Sequence, residues 1–287
     1  MESKGFERIL FATDGSENAD AAAEVVAALA TASKANVRVV HVWNLEVHHL
    51  HGMWDVEMRA EAEHLIHETV RRFRALGVEA DGQLARAEAS HVAAAIAEVA
   101  REFRSDLVVV GSRGLSDWQA VRRHSVSHAL LAAVDSQLLI VRSNARALHE
   151  PRRIVVAVAG GEDVPRAMRA AIEAGGPGAR VLVLHVEQAV IGVQGFAYYE
   201  PQDEIEETMR QATTILEAAG ITPTTRVAEP GSVADAVADA AAGWDADVIV
   251  LGSTRMGDIA SMVFGSVTHD LLRKTDRPVL VAEKGQV

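Results

Sequence analysis

Two segments carry residue types and spacing that suit phosphate. In the first, Gly111-Ser112-Arg113-Gly114 is followed after nine residues by His124-Ser125-Val126-Ser127. In the second, Gly252 is followed by Arg255 and, after nine further residues, by Gly265-Ser266-Val267-Thr268. Each segment leaves a β-branched run, Leu107-Val108-Val109-Val110 or Val248-Ile249-Val250-Leu251. A glycine-rich loop that feeds a helix amino terminus presents unpaired N–H groups and the positive end of the helix dipole to an anion. A third segment, Ala12-Thr13-Asp14-Gly15-Ser16, also leaves a short apolar run.

The elements that must position these segments occur twice. At an offset of 141, Asp106-Leu107-Val108-Val109-Val110-Gly111-Ser112 maps onto Asp247-Val248-Ile249-Val250-Leu251-Gly252-Ser253, and Ser125-Val126 onto Ser266-Val267. Upstream the offset grows to 144 for His41-Val42 and His185-Val186, and to 145 for Ile9 and Ile154. Such drift is what insertions in surface loops produce, and the period is too long for a solenoid unit. The organisation expected is therefore a first domain over 1–143, a linker over 144–152 and a second domain over 153–287. The basic, Pro151-containing join suits a linker. Strands are predicted over Arg8–Thr13, Asn36–Trp43, Val78–Ala85, Asp106–Gly111 and Gln137–Arg142 of the first half. Helical stripes lie between them, such as Val92, Ile96, Val99 and Phe103, repeated by Val233, Val237, Ala240 and Trp244. Strands apolar on both faces belong to a parallel sheet covered on both sides. Each half thus reads as a doubly wound α/β domain, whose ligands sit beyond the carboxyl ends of the strands.

Composition narrows the chemistry. The chain has 287 residues, 28 Lys plus Arg against 40 Asp plus Glu, a formal charge of −12 and no cysteine. Such an acidic chain is a poor partner for nucleic acid. The missing thiols remove disulfide scaffolds, thiolate zinc sites and cysteine nucleophiles. The longest apolar runs fall short of the roughly 18 residues that span a bilayer, and the amino terminus lacks a signal-peptide apolar region. A soluble cytoplasmic protein without nucleic-acid or membrane partners is expected.

Other side chains leave two readings open. His48, His49 and His51 follow the second predicted strand, and His64 and His67 share a helix face; they could gather a zinc ion or be solvated. His41 and His185 end equivalent apolar strands, and duplication in a core strand favours a structural role. Three motifs are absent: a Walker A loop, a Gly-x-Ser-x-Gly elbow and a His-Glu-x-x-His helix.

Both halves resemble the universal stress protein family. Its nucleotide-binding members carry Gly-x2-Gly-x9-Gly-Ser/Thr after the fourth strand and an Asp ending the first. Here the first half has Gly111 and Gly114 but His124-Ser125, and the second has Gly252 and Gly265-Ser266 but Arg255. The resemblance implies two five-stranded sheets of order 3-2-1-4-5, similar to adenine-nucleotide α-hydrolases. It implies ATP, with or without Mg²⁺, at the ends of the first and fourth strands. In the first half Ala12, Thr13, Asp14 and Val42 would lie by the adenosine. Val110, Gly111 and Gly114 would wrap ribose and phosphates, and Ser125, Val126 and Ser127 would donate to phosphate. The matching second-half positions are Ala157, Val158, Ala159, Val186, Leu251, Gly252, Arg255, Gly265, Ser266, Val267 and Thr268. The resemblance also implies that the last strands, Gln137–Arg142 and Arg277–Ala282, pair across an internal pseudo-two-fold, with a further homodimer of chains left open.

The departures from the pattern cut both ways. His124 places a ring where glycine lets backbone approach phosphate, yet a protonated imidazole pairs with phosphate. Ala159 removes the first-strand carboxylate, and Arg255 either obstructs or clamps a phosphate. Ala159-Gly160-Gly161-Glu162-Asp163 resembles the Ser-Gly-Gly-x-Asp-Ser loop of ATP pyrophosphatases without its serines; a turn into a helix with Pro165 near its start is the alternative. The leading expectation is a regulatory ATP-binding stress-response protein with slow or no turnover. The alternatives are an interaction scaffold without nucleotide and a pyrophosphatase-like enzyme at Gly160-Gly161.

Overall fold

Runs of Val, Ile and Leu with no polar interruption fix the strands, and alanine-rich amphipathic stretches supply the helices between them. The computed structural model describes residues 5–48, 52–55, 58–112, 126–145, 151–161, 163–176, 178–191, 197–252 and 267–283. The chain divides into two compact units, Phe6–Glu150 and Pro151–Val287.

The first unit runs β1 (Arg8–Ala12), α1 (Glu17–Ser33), β2 (Asn36–His48), β3 (Gly52–Asp55), α2 (Arg59–Ala75), β4 (Ala80–Glu88), α3 (Val92–Phe103), β5 (Leu107–Ser112), α4 (Val126–Ala133) and β6 (Gln137–Arg142). β4 pairs β2, β2 pairs β1, β1 pairs β5 and β5 pairs β6, every one parallel. That is the expected 3-2-1-4-5 order. Ile9, Leu10, Leu107, Val108 and Val109 are wholly buried, as central strands with helices on both faces require. β2 is longer than its apolar run suggests: it continues to His48, and Leu45–His48 pairs antiparallel with β3. Val42 lies within β2, as the predicted strand has it, with six residues of the strand beyond it.

The second unit runs β7 (Arg153–Val158), α5 (Asp163–Gly175), β8 (Arg180–Val186), β9 (Ala189–Ile191), β10 (Ala197–Tyr199), α6 (Gln202–Ala218), β11 (Thr224–Ala228), α7 (Val233–Trp244) and β12 (Val248–Leu251). A helix over residues 267–274 and β13 (Val279–Val281) complete it. β11, β8, β7, β12 and β13 pair in that order, all parallel. β9 and β10 form a small antiparallel ribbon with no counterpart in the predicted pattern. Among the described residues no helix is long and apolar enough to cross a membrane.

The same device registers the first and fourth strands in each unit. Asp106 accepts the backbone N–H groups of Glu7 (2.7 Å) and Arg8 (3.0 Å). Asp247 accepts those of Arg152 and Arg153, both at 2.8 Å. Burial pushes the Asp106 carboxyl above its ordinary range, against the two N–H groups that favour the anion.

Candidate functional site

In a 3-2-1-4-5 sheet the connections leave the first and fourth strands in opposite directions, opening a crevice at their carboxyl ends. In the first unit β1 and β5 are neighbours there, with Ala12 opposite Val110, and on the other side Ala12 lies opposite Val40 of β2. Ala12, Thr13, Asp14, Val42, Val110 and Gly111 are thus brought to one end of the sheet. Val126 and Ser127 open α4 and are partly exposed. Gly114, Ser125 and His124 lie outside the described residues.

Local chemistry shapes the β1 turn. Gly15 has φ +73°, a conformation that favours glycine. Asp14 Oδ1 accepts both the Ser16 N–H (3.0 Å) and the Ser16 hydroxyl (2.5 Å). Ser16 in turn caps α1 by accepting the Ala19 N–H at 3.4 Å. Asp14 is therefore a turn residue at the mouth of the crevice, with one oxygen committed to the turn. Its side of the turn is covered by Leu65 of α2, whose Cδ2 would lie 3.2 Å from a Cβ at Gly15.

Gly111 has a packing reason as well as a ligand reason. A Cβ there would stand 2.7 Å from the carbonyl carbon and oxygen of Asn18 and 2.9 Å from the Ala19 nitrogen. The first turn of α1 lies directly on the end of β5, and only a bare backbone fits beneath it. At Gly252 the equivalent Cβ would meet side-chain carbons instead, Asp163 Cβ at 3.3 Å and Ala167 Cβ at 3.7 Å.

The second unit builds the same crevice with different walls. Ala157, Val158, Val186, Leu251 and Gly252 lie at the carboxyl ends of β7, β8 and β12, and the Gly252 N–H donates to the Ala157 carbonyl at 3.3 Å. Val267 and Thr268 begin the helix over 267–274. Thr268 is wholly buried, and its hydroxyl finds no partner among the described residues. Arg255, Gly265 and Ser266 lie outside the described residues. Gly160 (φ +110°) and Gly161 (φ +63°) form the β7 turn. Asp163, the first residue of α5, is buried and paired with Arg166 at 2.9 Å. This is the turn-and-helix-start reading of that loop, with Asp163 held by its own helix.

A cavity of about 520 Å³ opens beside this turn, and its lining includes Gly160, Gly161, Glu200, Asp203, Glu204 and Glu207. None of these four carboxylates stands out in the sequence as a site residue. Glu200 follows β10 and reaches His185: its Oε2 is 2.8 Å from Nε2. The His185 Nδ1–H donates to the Val158 carbonyl at 3.0 Å. Both ring nitrogens thus face acceptors, the Val158 carbonyl at Nδ1 and the Glu200 carboxylate at Nε2. His41 repeats the first half of this arrangement, its Nδ1–H donating to the Thr13 carbonyl at 2.8 Å. The duplicated imidazole ties the second strand to the residue that ends the first.

His64 and His67 are exposed on α2. The side chain of His48, and His49 and His51 altogether, lie outside the described residues. Among the described residues no group of three His, Asp or Glu is placed to hold a metal ion.

The sequence model of the universal stress protein family matches residues 5–142 and again residues 150–283. The chain belongs to the universal stress protein family. It carries two family repeats in tandem. A universal stress protein of Thermus aquaticus, encoded beside a sulfhydrylase, is 28% identical over 133 residues, 45% of this chain and 97% of that one. Among solved structures, a universal stress protein of Archaeoglobus fulgidus matches 99% of this chain and 98% of its own with TM-score 0.76 and 20% identity. One from Pseudomonas aeruginosa matches 98% and 94% with TM-score 0.65 and 14% identity. At those identities the structural likeness shows the fold.

Proposed function

We propose that this tandem universal stress protein is a regulatory adenine-nucleotide-binding protein. It takes ATP, with or without Mg²⁺, at the carboxyl ends of the first and fourth strands of a repeat. The observation that carries this reading is the crevice between β1 and β5. There Thr13, Asp14, Val42, Val110 and Gly111 meet, and the start of α4 follows with Val126 and Ser127. The amino terminus of a helix beyond such a crevice is a site for phosphate. The nucleotide acts as a ligand that shifts conformation or partner binding. His41, on β2 beside the end of β1, is buried with Nδ1 committed to a backbone carbonyl, which suits a strand tie rather than a general base. The acidic, cysteine-free composition suits cytoplasmic residence.

The test is calorimetric titration of Mg²⁺-ATP into full-length, nucleotide-stripped protein. Saturable heat is expected, displaced by other adenine nucleotides. Absence of both heat and competition at millimolar ATP would overturn the reading and turn the search to protein partners.

A further inference from the structure

We propose that the nucleotide is taken by the first repeat alone, because the crevice of the second repeat is walled against phosphate. This rests on the nucleotide reading above and names which of the two crevices carries it.

The two crevices can be compared position by position because one contact registers them. In the first repeat the side chain standing over the loop glycine is Leu65, 3.2 Å from a Cβ at Gly15; in the second it is Thr208, 3.0 Å from a Cβ at Gly160. Leu65 and Thr208 therefore occupy one position on α2 and α6. Counting back along each helix pairs Ala60 with Asp203, Glu61 with Glu204, and His64 with Glu207. The wall that faces the cavity holds three carboxylates in the second repeat; Glu207 accepts from Arg210 one turn on, which among the described residues leaves Asp203 and Glu204 as its uncompensated charges. The first repeat has one carboxylate, one alanine and one histidine at those positions.

A fourth carboxylate comes from outside the helix. Glu200 is held by His185, and His185 by the Val158 carbonyl, so Glu200 is fixed at the carboxyl ends of β7 and β8. Its own N–H donates to the Gln188 carbonyl at 3.1 Å, which fixes the backbone that carries it. An adenine nucleotide brings several negative charges, and like charges in a partly screened crevice oppose its entry. A metal ion could reverse the sign, but no group of these residues is placed to hold one among the described residues.

The donors on the far side differ in the same direction. Ser127, in the first turn of α4, is partly exposed, whereas its equivalent Thr268 is wholly buried and offers no hydroxyl to solvent. One difference runs the other way, since Ala159 replaces the Asp14 carboxylate of the first repeat, but Asp14 Oδ1 is already engaged by the Ser16 N–H and hydroxyl in its own turn. The second repeat thus presents acid on the near wall and a buried hydroxyl on the far one.

The experiment counts nucleotide on the full chain and then exchanges the walls. Equilibrium dialysis with labelled ATP and Mg²⁺ should give one nucleotide per wild-type chain. Ala60→Asp with His64→Glu, both exposed positions of α2, should weaken that site by about tenfold or more. Asp203→Asn, Glu204→Gln and Glu207→Gln together, also exposed, should add a second binding event; Glu200 is left in place to keep His185 paired. Two equal sites in the wild type would overturn the proposal and leave nucleotide binding standing. A single site indifferent to the first-repeat exchange, with none added by the second, would also overturn it. No nucleotide on any variant would overturn it together with the reading on which it rests.

Discussion

The two repeats keep the same ties within the sheet and part company at its carboxyl edge. His41 and His185 each donate to the carbonyl that ends the first strand, at 2.8 and 3.0 Å. Asp106 and Asp247 each accept two N–H groups from the start of that strand. Arg104 and Asp245, equivalent residues ending α3 and α7, share a left-handed conformation, φ +52° and +51°. Around the crevice the identities change: Asp14 becomes Ala159, Leu65 becomes Thr208 and His64 becomes Glu207. Contacts that register a parallel sheet have one solution, since buried backbone groups must be paired. The walls of a crevice carry no such requirement, and there the two repeats differ.

The sharpest break in the comparison should come at the strand-end glycines. At Gly111 a methyl group would strike the α1 backbone at 2.7 Å, and backbone cannot rotate away. At Gly252 the nearest atom is Asp163 Cβ at 3.3 Å, which yields with a small shift. Gly111→Ala should cost about 3 kcal/mol of unfolding free energy and Gly252→Ala less than about 1 kcal/mol. Urea denaturation of both variants checks this, and equal losses would show that the α1 and α5 approaches are not different in the way described.

Next in size is the carboxylate tie. Asp106→Ala leaves two N–H groups without their acceptor and should cost about 2 kcal/mol, as should Asp247→Ala. Asp106 adds a pH dependence. Its carboxyl is held above the ordinary range, so its contribution to stability is complete below the unfolded value near 3.9 and is lost as pH rises through the folded value. Against Asp106→Asn, the wild type should therefore lose relative stability between about pH 3 and pH 6. A constant difference across that range would mean that burial does not govern this group.

These cases show what a reader of the sequence can and cannot see. The parallel, doubly wound sheet was legible because Leu107–Val110 and its repeat are apolar on both faces and recur with the flanking aspartates, whereas the 3-2-1-4-5 order came from the family resemblance. The residues at the ends of β1 and β5 were legible for the same reason, since strand ends place them. β3 and the β9–β10 ribbon were not legible: they are short and pair locally, and no periodicity of two runs long enough in them. Glu200 was hidden for a related reason. It reaches His185, fifteen residues away, only because the ribbon folds back. Gly111 was legible as a glycine that matters, but the atom it makes room for, the Asn18 carbonyl, belongs to a helix distant in sequence. The acidic wall could have been found by carrying the repeat from α2 onto α6, where Leu65 and Thr208 register the helices.

A smaller effect is expected from the Glu200–His185 contact. Glu200 keeps 16% of its side chain exposed, so solvent screens part of the interaction. A double-mutant cycle with His185→Phe and Glu200→Gln should give a coupling of about 1 kcal/mol. Independent, additive losses would mean that the carboxylate rests beside the imidazole without holding it.

The smallest difference lies on the surface, where the second repeat has an ion pair and the first has alanines. Asp235, in the first turn of α7, pairs with Lys274, and its N–H donates to the capping Ser232 hydroxyl at 3.3 Å. The equivalent first-repeat residues are Ala94 and Ala133. Hydrogen bonding from Lys274, then from Ser232, holds the Asp235 carboxyl below its ordinary range. A lowered carboxyl stabilises the fold above its unfolded value and loses that contribution as pH falls through the folded value. Both groups are well exposed, so the pair is open to salt. Asp235→Ala should therefore bring acid unfolding of the second repeat to slightly higher pH at low ionic strength, and the difference should shrink in molar salt. The pair and the cap are separable, because Lys274→Ala removes only the first. If Lys274→Ala leaves the acid transition unmoved while Asp235→Ala shifts it, the aspartate acts through Ser232 and the helix end, and the surface ion pair contributes nothing to the contrast between repeats.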